Sequence, residues 1–408
     1  MSSAQVLQSK MCRALLKTNL LGVLFMNPCG AFLPWRHSSR WRDAIARHAE
    51  VICVGDALLD CITDDRESDS IVYETCNNGA WQTWSGGAPA NVAAALCKLG
   101  TTSALVGFVG EDEGGHHIKN ILSGAGVDIS LLRQTNGTLT RRTMNTHQNY
   151  ENKEANVVWG EKKMEDGTEY FHGTSSIIYG DADTGTLKKV LADNKWIYCS
   201  TSLLAHQHSR DAYYSVVERA LANGACLCVD VEYSPIIWSG VSESVARSEI
   251  LRLANRAHIV KLTDEEAGFL LRVPAAEAFC DAERVHAEFD NAVAVLIRAG
   301  EKGTAYSMLG QHGIVPSFEV NISDTEGAGN SFTAGILHGL IAMDLSFEMF
   351  NVLVPFEQRP LIIAMLVRFA TAVSALTYKA EGPISGQPTY SEVEAFLSQS
   401  ICPEYHAP

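Results

Sequence analysis

From Val51 onward, short apolar runs alternate with stretches whose apolar positions recur at helical spacing. The runs are VICVGDALL from Val51, SALVGFVG from Ser103, WIYCST from Trp196, CLCVDV from Cys226, HIVKLT from His258 and VAVLIRAG from Val293. A strand with one wet face alternates polar and apolar residues, so near-continuous runs predict strands buried on both faces of a parallel sheet. Between them NVAAALCKLG, HHIKNILSGAGV, AYYSVVERALANG and EILRLANRA read as amphipathic helices, several closing on a glycine stop. The alternation predicts an α/β chain: a three-layer fold with an open, mostly parallel sheet and helices on both faces.

Two polar segments, about 62–84 and 134–172, break the rhythm. They carry alternating stretches such as TRRTMNTHQN and EANVVWG, which predict short antiparallel strands outside the main sheet. Paired, they make a small β lid over the sheet's carboxyl edge. No internal repeat or long linker interrupts the chain, so residues 51–400 read as one domain with a lid and 401–408 as a tail.

The first fifty residues have a different composition. Lys10, Arg13, Lys17, Arg36, Arg40 and Arg42 precede the first acidic residue, Asp43, around the apolar run LLGVLFMNPCGAF. That run is too short and interrupted to span a bilayer, which takes about 20 apolar residues. Residues 1–50 therefore read as an organelle-targeting leader. The apolar stretch, then Gly30-Ala31-Phe32, then a basic serine-containing tail, resembles the two-part leaders of complex plastids. A plastid is the expected location after leader removal, with cytoplasm and mitochondrion as alternatives. Beyond the leader no stretch reads as a membrane span, so no membrane association is expected.

Over 408 residues, 46% hydrophobic and 19% charged content is that of a globular chain with a sizeable core. A formal charge of -15 leaves no domain-wide positive field, which argues against direct nucleic-acid binding but not against a locally held nucleotide. The eleven cysteines include no CxxC pair and read as reduced core thiols. Cys226 and Cys228, two apart on a strand, share a face, for core packing or for a redox role.

Ligands of open α/β sheets bind beyond the carboxyl ends of strands, so the strand-to-glycine junctions carry the candidate chemistry. Asp60 closes the first, Gly55-Asp56-Ala57-Leu58-Leu59-Asp60; an acceptor-only carboxylate there suits two neighbouring sugar hydroxyls. The second is Ser85-Gly86-Gly87-Ala88-Pro89-Ala90-Asn91. Its paired glycines let a ligand approach the backbone, and Asn91 can both donate and accept. The third, Asp324-Thr325-Glu326-Gly327-Ala328-Gly329-Asn330, runs into the apolar helix SFTAGILHGLIAM. Gly327, Ala328 and Gly329 at a helix start form an anion hole suited to a transferring phosphoryl group. The GxxxxGK phosphate loop is absent.

Together SGGAPANVAAALCKLG and DTEGAGNSFTAG resemble the GGxxxN and DTxGAGDxF motifs of the PfkB, or ribokinase-like, carbohydrate kinases. The likeness covers nearly all of the chain after residue 50 and is greatest to fructokinases of plastid and cyanobacterial type. It implies ATP-dependent phosphorylation of a sugar hydroxyl, fructose O6 first among them, with Mg2+ and K+ as cofactors. By position it implies sugar binding at Asp60, Gly86, Gly87 and Asn91, nucleotide binding at Arg298, Gly300 and Gly303, and metal or cation roles for Glu266 and Asp324. Thr263 stands where the family's NxxE element has Asn.

Asn330 stands where the family's motif has its catalytic base, an aspartate. An amide holds a hydroxyl but cannot take its proton at neutral pH. Glu232 and Ser234 replace the Asn and Arg of the family's D-x-N-x-R-P stretch, and FNVLVPFEQRPLIIAM departs from its usual late connection. Two readings stay open. One is a slow fructokinase-like enzyme. The other is a pseudokinase acting as a binding or scaffold protein with a plastid protein partner. A homodimer through the lid's strand edges is compatible with either.

Overall fold

The computed structural model describes residues 49–63, 82–135, 139–146, 156–158, 161–163, 169–171, 191, 194–205, 207–235, 237–238, 240–344 and 346–400. The expected leader, except its last two residues, the tail at 401–408 and much of both lid segments lie outside these.

Nine strands form the main sheet. In chain order they are β1 (Val51–Val54), β4 (Ser103–Gly110), β5 (Leu132–Thr135), β10 (Trp196–Ser200), β11 (Cys226–Asp230), β12 (Ile259–Thr263), β13 (Ala294–Arg298), β14 (Thr304–Met308) and β15 (Gln311–Val315). A smaller sheet contains β2 (Leu58–Thr63), β3 (Gln82–Gly86), β6 (Arg142–Thr146) and β7 (Asn156–Val158), while β8 (Glu161–Lys163) and β9 (Glu169–Phe171) pair separately. The main order is β15-β14-β13-β12-β11-β10-β1-β4-β5, parallel from β5 to β13 and antiparallel across the last two pairs.

The helices are α1 (Ala88–Leu99), α2 (Glu113–Gly124), α3 (Gln207–Ala222), α4 (Glu243–Ala254), α5 (Asp264–Leu271), α6 (Ala275–Cys280), α7 (Ala282–His286), α8 (Ala328–Met343), α9 (Phe347–Leu353), α10 (Arg359–Tyr378) and α11 (Tyr390–Gln399). One compact unit runs to Thr389, and α11 belongs to a second.

The predicted α/β architecture is present, with three corrections. VICVGDALL is two strands in two sheets: β1 ends at Val54, Gly55 takes φ 137, and β2 starts at Leu58. The break follows from crowding, since a Cβ on Gly55 would lie 2.9 Å from the Pro89 ring and 3.3 Å from Leu203. The small sheet is not wholly antiparallel, because β2 and β6 run parallel. The β14–β15 hairpin and β5 have mixed patterns that the search for continuous apolar runs passed over; β15 has the alternating burial of an edge strand.

On one face of the main sheet Ile52, Ile197, Leu227, Val229, Val260, Val295 and Ile297 pack with Tyr213, Val216 and Val217 of α3 and Ile250 and Leu253 of α4. Register sets Cys53, Tyr198 and Cys228 side by side across β1, β10 and β11. Cys228 is buried and Cys226 half-buried, both as free thiols, and burial raises both above the ordinary thiol range. That environment favours core packing over redox chemistry.

α8 and α10 pack together over the start of the second glycine-rich motif. The segment Phe356–Tyr378 is long and apolar enough to cross a membrane, which qualifies the expectation of no such stretch, yet 61% of its most apolar window is buried within the protein. Its partner's glycines allow the contact: a Cβ on Gly335 would sit 2.8 Å from the Ala370 Cα. Gly335→Ala should therefore lower stability by about 1–3 kcal/mol despite the better helix propensity of alanine. Urea denaturation of wild type and variant measures it.

Candidate active site

β1, β11, β12 and β13 all end at one edge of the sheet, and the two glycine-rich turns meet there. Gly87 caps α1 at φ 97, where a Cβ would lie 2.6 Å from the Asp56 carbonyl oxygen. Gly86 leaves room for the Asp60 carboxylate, which a Cβ at that position would overlap. Asp56 forms a buried ion pair with Arg141 at the entrance to β6, tying the small sheet to the end of β1. Burial pulls the Arg141 guanidinium down to about 10, against the opposing pull of Asp56, so it stays charged at neutral pH.

Gly327 caps α8 at φ 74, with a hypothetical Cβ 2.5 Å from the Pro383 carbonyl oxygen. Ser331 donates the first helical hydrogen bond back to Gly327, and the earlier N–H groups of the turn have no intrahelical acceptor. Asp324 braces the turn: Oδ1 accepts from the Glu326 N–H at 2.9 Å and Oδ2 from the Gly382 N–H at 2.9 Å. At Gly329 the approach is lined by cations, since a Cβ there would be 3.4 Å from Arg298 Nη1 and 3.5 Å from Lys261 Nζ. This is an anion-binding geometry: helix N-terminus, free approach to backbone and two positive charges.

The two motifs touch. Asn91 Nδ2 donates to Asn330 Oδ1 at 3.1 Å across 239 residues of sequence. Asn91 is buried, and its Oδ1 has no hydrogen-bond partner among the described residues. Gln387 Nε2 donates to the Asn91 carbonyl oxygen at 2.9 Å, and Lys98 Nζ donates to the carbonyls of Ile384 (2.6 Å), Ser385 (3.0 Å) and Gln387 (3.0 Å). The segment after α10 is thus pinned both to α1 and, through Asp324, to the α8 turn.

Behind the turn lies a buried charge cluster. Lys261 Nζ donates to Asp230 Oδ1 at 2.7 Å, and Tyr198 donates to Asp230 Oδ2 at 3.2 Å. Burial alone would lower the Lys261 ammonium, but Asp230 and Glu266 raise it, so it is held protonated. Glu266 accepts from the N–H groups of Thr263 (2.7 Å) and Tyr233 (3.1 Å), with Thr263 completing a capping box. Burial raises the Glu266 carboxyl, opposed by Lys261 and those N–H groups. Its lone pairs largely serve the backbone. Among the described residues no group of three His, Cys, Asp or Glu could hold a metal.

Arg298 Nη2 donates to Ser374 Oγ at 2.8 Å, with its guanidinium 5.1 Å from the Phe332 ring centroid. Gly300 (φ 52) and Gly303 (φ 97) bound the tight turn after β13, where a Cβ on Gly303 would overlap the Val315 carbonyl. Lys261 and Gln387 were missed in sequence. Lys261 had one usable signal, a lone lysine inside an apolar strand run, which a buried position tolerates only with a partner.

A family model described as pfkB family carbohydrate kinase matches residues 48–390. The chain belongs to the pfkB family of carbohydrate kinases. It is 30% identical over 312 residues to probable fructokinase-3 of Arabidopsis thaliana, covering 76% of this chain and 82% of that one. It is 29% identical over 360 residues to the chloroplastic probable fructokinase-6 of the same plant, covering 86% and 83%. Among solved structures, the fructokinase of Vibrio cholerae O395 with fructose, ADP and calcium ion bound superposes at a TM-score of 0.65. That match has 22% identity and covers 86% of this chain and 99% of that one. The ATP-bound fructokinase of Xylella fastidiosa gives a TM-score of 0.64 at 22% identity, covering 86% and 98%. At such identity these two matches carry the fold alone. The protein is thus a fructokinase-like member of a sugar-kinase family.

Glu232 adds a buried acid to this end of β11. Its Oε2 accepts from Ser200 Oγ at 2.7 Å. Burial, then the neighbouring Asp230 charge, raise its carboxyl from 4.5 to about 7. A carboxyl raised on folding contributes stability that is complete below its unfolded pKa and is lost as pH rises through the folded one. Wild type should therefore lose about 2–3 kcal/mol between pH 4.5 and pH 8 from this group, and Glu232→Gln should flatten that slope. Urea melts at the two pH values test this.

Proposed function

We propose that this chain is an ATP-dependent sugar kinase of slow turnover, transferring the γ-phosphoryl group of ATP to a sugar hydroxyl, with fructose O6 the first acceptor to test. The observation that carries the reading is the Asn91–Asn330 hydrogen bond, which closes the two motifs into one cleft. Asp60, Gly86, Gly87 and Asn91 take the sugar side, and Asn91 Oδ1, without a partner among the described residues, suits a hydroxyl donor. Gly327, Ala328 and Gly329 receive the γ-phosphoryl group, with Lys261 as a further cation. Arg298, Gly300 and Gly303 take the nucleotide side. A divalent ion such as Mg2+, carried on the nucleotide, would supply charge neutralisation for the phosphates. Glu266 sits behind it, and Asp324 is the residue to test for a K+ effect.

In this reading Asn330 occupies the position of the base and leaves the acceptor hydroxyl protonated until late in transfer. Phosphoryl transfer rests mainly on positioning and charge stabilisation, so turnover persists at a reduced rate. Domain limits of 51–400, a plastid location and a lid-mediated homodimer belong to the same proposal. The location is supported by the basic, acid-free start of the chain and by the chloroplastic relative. The dimer is supported by β3 and β7 standing at the ends of the small sheet among the described residues.

The second reading is a pseudokinase that binds ligand and a plastid partner without turnover. It is favoured by the same amide pair. A coupled ADP-release assay across several sugars separates the two. Asn330→Asp should raise kcat by about 10²–10⁴ while KM for sugar changes little. Absence of turnover in wild type and variant alike, with nucleotide still bound, would leave the binding-protein reading.

A further inference from the structure

We propose that the cleft between α1 and α8 takes a sugar phosphomonoester in preference to the free sugar. The inference rests on the reading above, in which the α8 turn grips a phosphoryl group. Its ground is the direction of the hydrogen bond between the motifs. Asn330 Oδ1 already accepts from Asn91 Nδ2 with one of its two lone pairs, so the end of the amide left whole for a ligand is its NH2, which only donates.

A carboxylate at position 330 would present negative charge and acceptors, both hostile to a bound phosphate dianion. The amide removes that charge and supplies a donor in its place. The first-turn N–H groups of α8, Arg298 and Lys261 present further donors on the same side. The nearby carboxylates oppose an anion, but they are occupied: Asp230 by Lys261 and Tyr198, Glu232 by Ser200, and Glu266 by the N–H groups of Thr263 and Tyr233. The sugar end of the cleft has the opposite character. Asn91 Oδ1 is buried with no hydrogen-bond partner among the described residues, and the Asp60 carboxylate lies over Gly86. Acceptors there fit the hydroxyls of the sugar, while donors at α8 fit the phosphate.

The terminal phosphoryl group of ATP and the phosphate of a phosphorylated sugar claim the same turn. A sugar phosphate therefore binds together with ADP but excludes ATP. For a slow kinase this means retention of product; for a binding protein it means a sugar-phosphate sensor.

Calorimetry on the full chain tests this with fructose 6-phosphate, fructose and inorganic phosphate, each alone and with ADP or ATP. Wild type should bind fructose 6-phosphate about tenfold or more tighter than fructose, and the ratio should fall at least about tenfold in Asn330→Asp, as charge repulsion at close range requires. Arg298→Gln should lower the ratio in the same direction. Fructose binding as tightly as its phosphate, an unchanged ratio in Asn330→Asp, or inorganic phosphate binding as tightly as the sugar phosphate overturns the proposal. If ATP and fructose bind and turn over without any preference for the phosphate, only this inference fails. If no nucleotide and no sugar in either form binds, the kinase reading falls with it.

Discussion

The close approach of α8 to its surroundings is the constraint on which the site depends. Three positions without a side chain permit it. Gly327 turns the chain against Pro383 at positive φ, Gly329 leaves the backbone open to Arg298 and Lys261, and Gly335 lets α10 lie against the helix about two turns further on. At Gly327 and Gly335 the contact is short enough that a methyl group would displace backbone, whereas at Gly329 it would meet only the ends of the Arg298 and Lys261 side chains. A side chain at Gly327 or Gly335 would move the helix start relative to the sheet edge, and with it the amide of Asn330. The anion hole is therefore a property of packing as much as of the motif that contains it.

The same packing explains how a site with so many buried charges stays intact. Lys261 stands between Asp230 and Glu266, and each of those carboxylates also accepts from a hydroxyl or from backbone N–H groups. A buried charge without partners would cost several kcal/mol, so such a cluster persists only when every member is satisfied. Burial and the neighbouring Asp230 charge raise the Glu232 carboxyl to about 7, so it is only partly an anion at neutral pH.

Much of this was readable from the chain. Continuous apolar runs marked six strands of the main sheet, because burial on both faces leaves no room for polar alternation. The glycines of GGAPAN and GAGN were legible because only a residue without Cβ tolerates those turns. What escaped had no local mark. β14 and β15 form an antiparallel edge with mixed polarity, VICVGDALL hides a break between two sheets, and Gln387 gains its role only by reaching Asn91.

By itself, then, the chain's pattern determined the layer architecture and the two glycine-rich turns, the second followed by an amide at position 330, since periodicity and steric tolerance are properties of neighbouring residues. Tertiary structure alone decided that Asn91 donates to Asn330, that Lys261 lies beneath Gly329 and that Glu266 serves a capping box. These depend on distances between segments far apart in sequence, and only the packed sheet and helices set those distances.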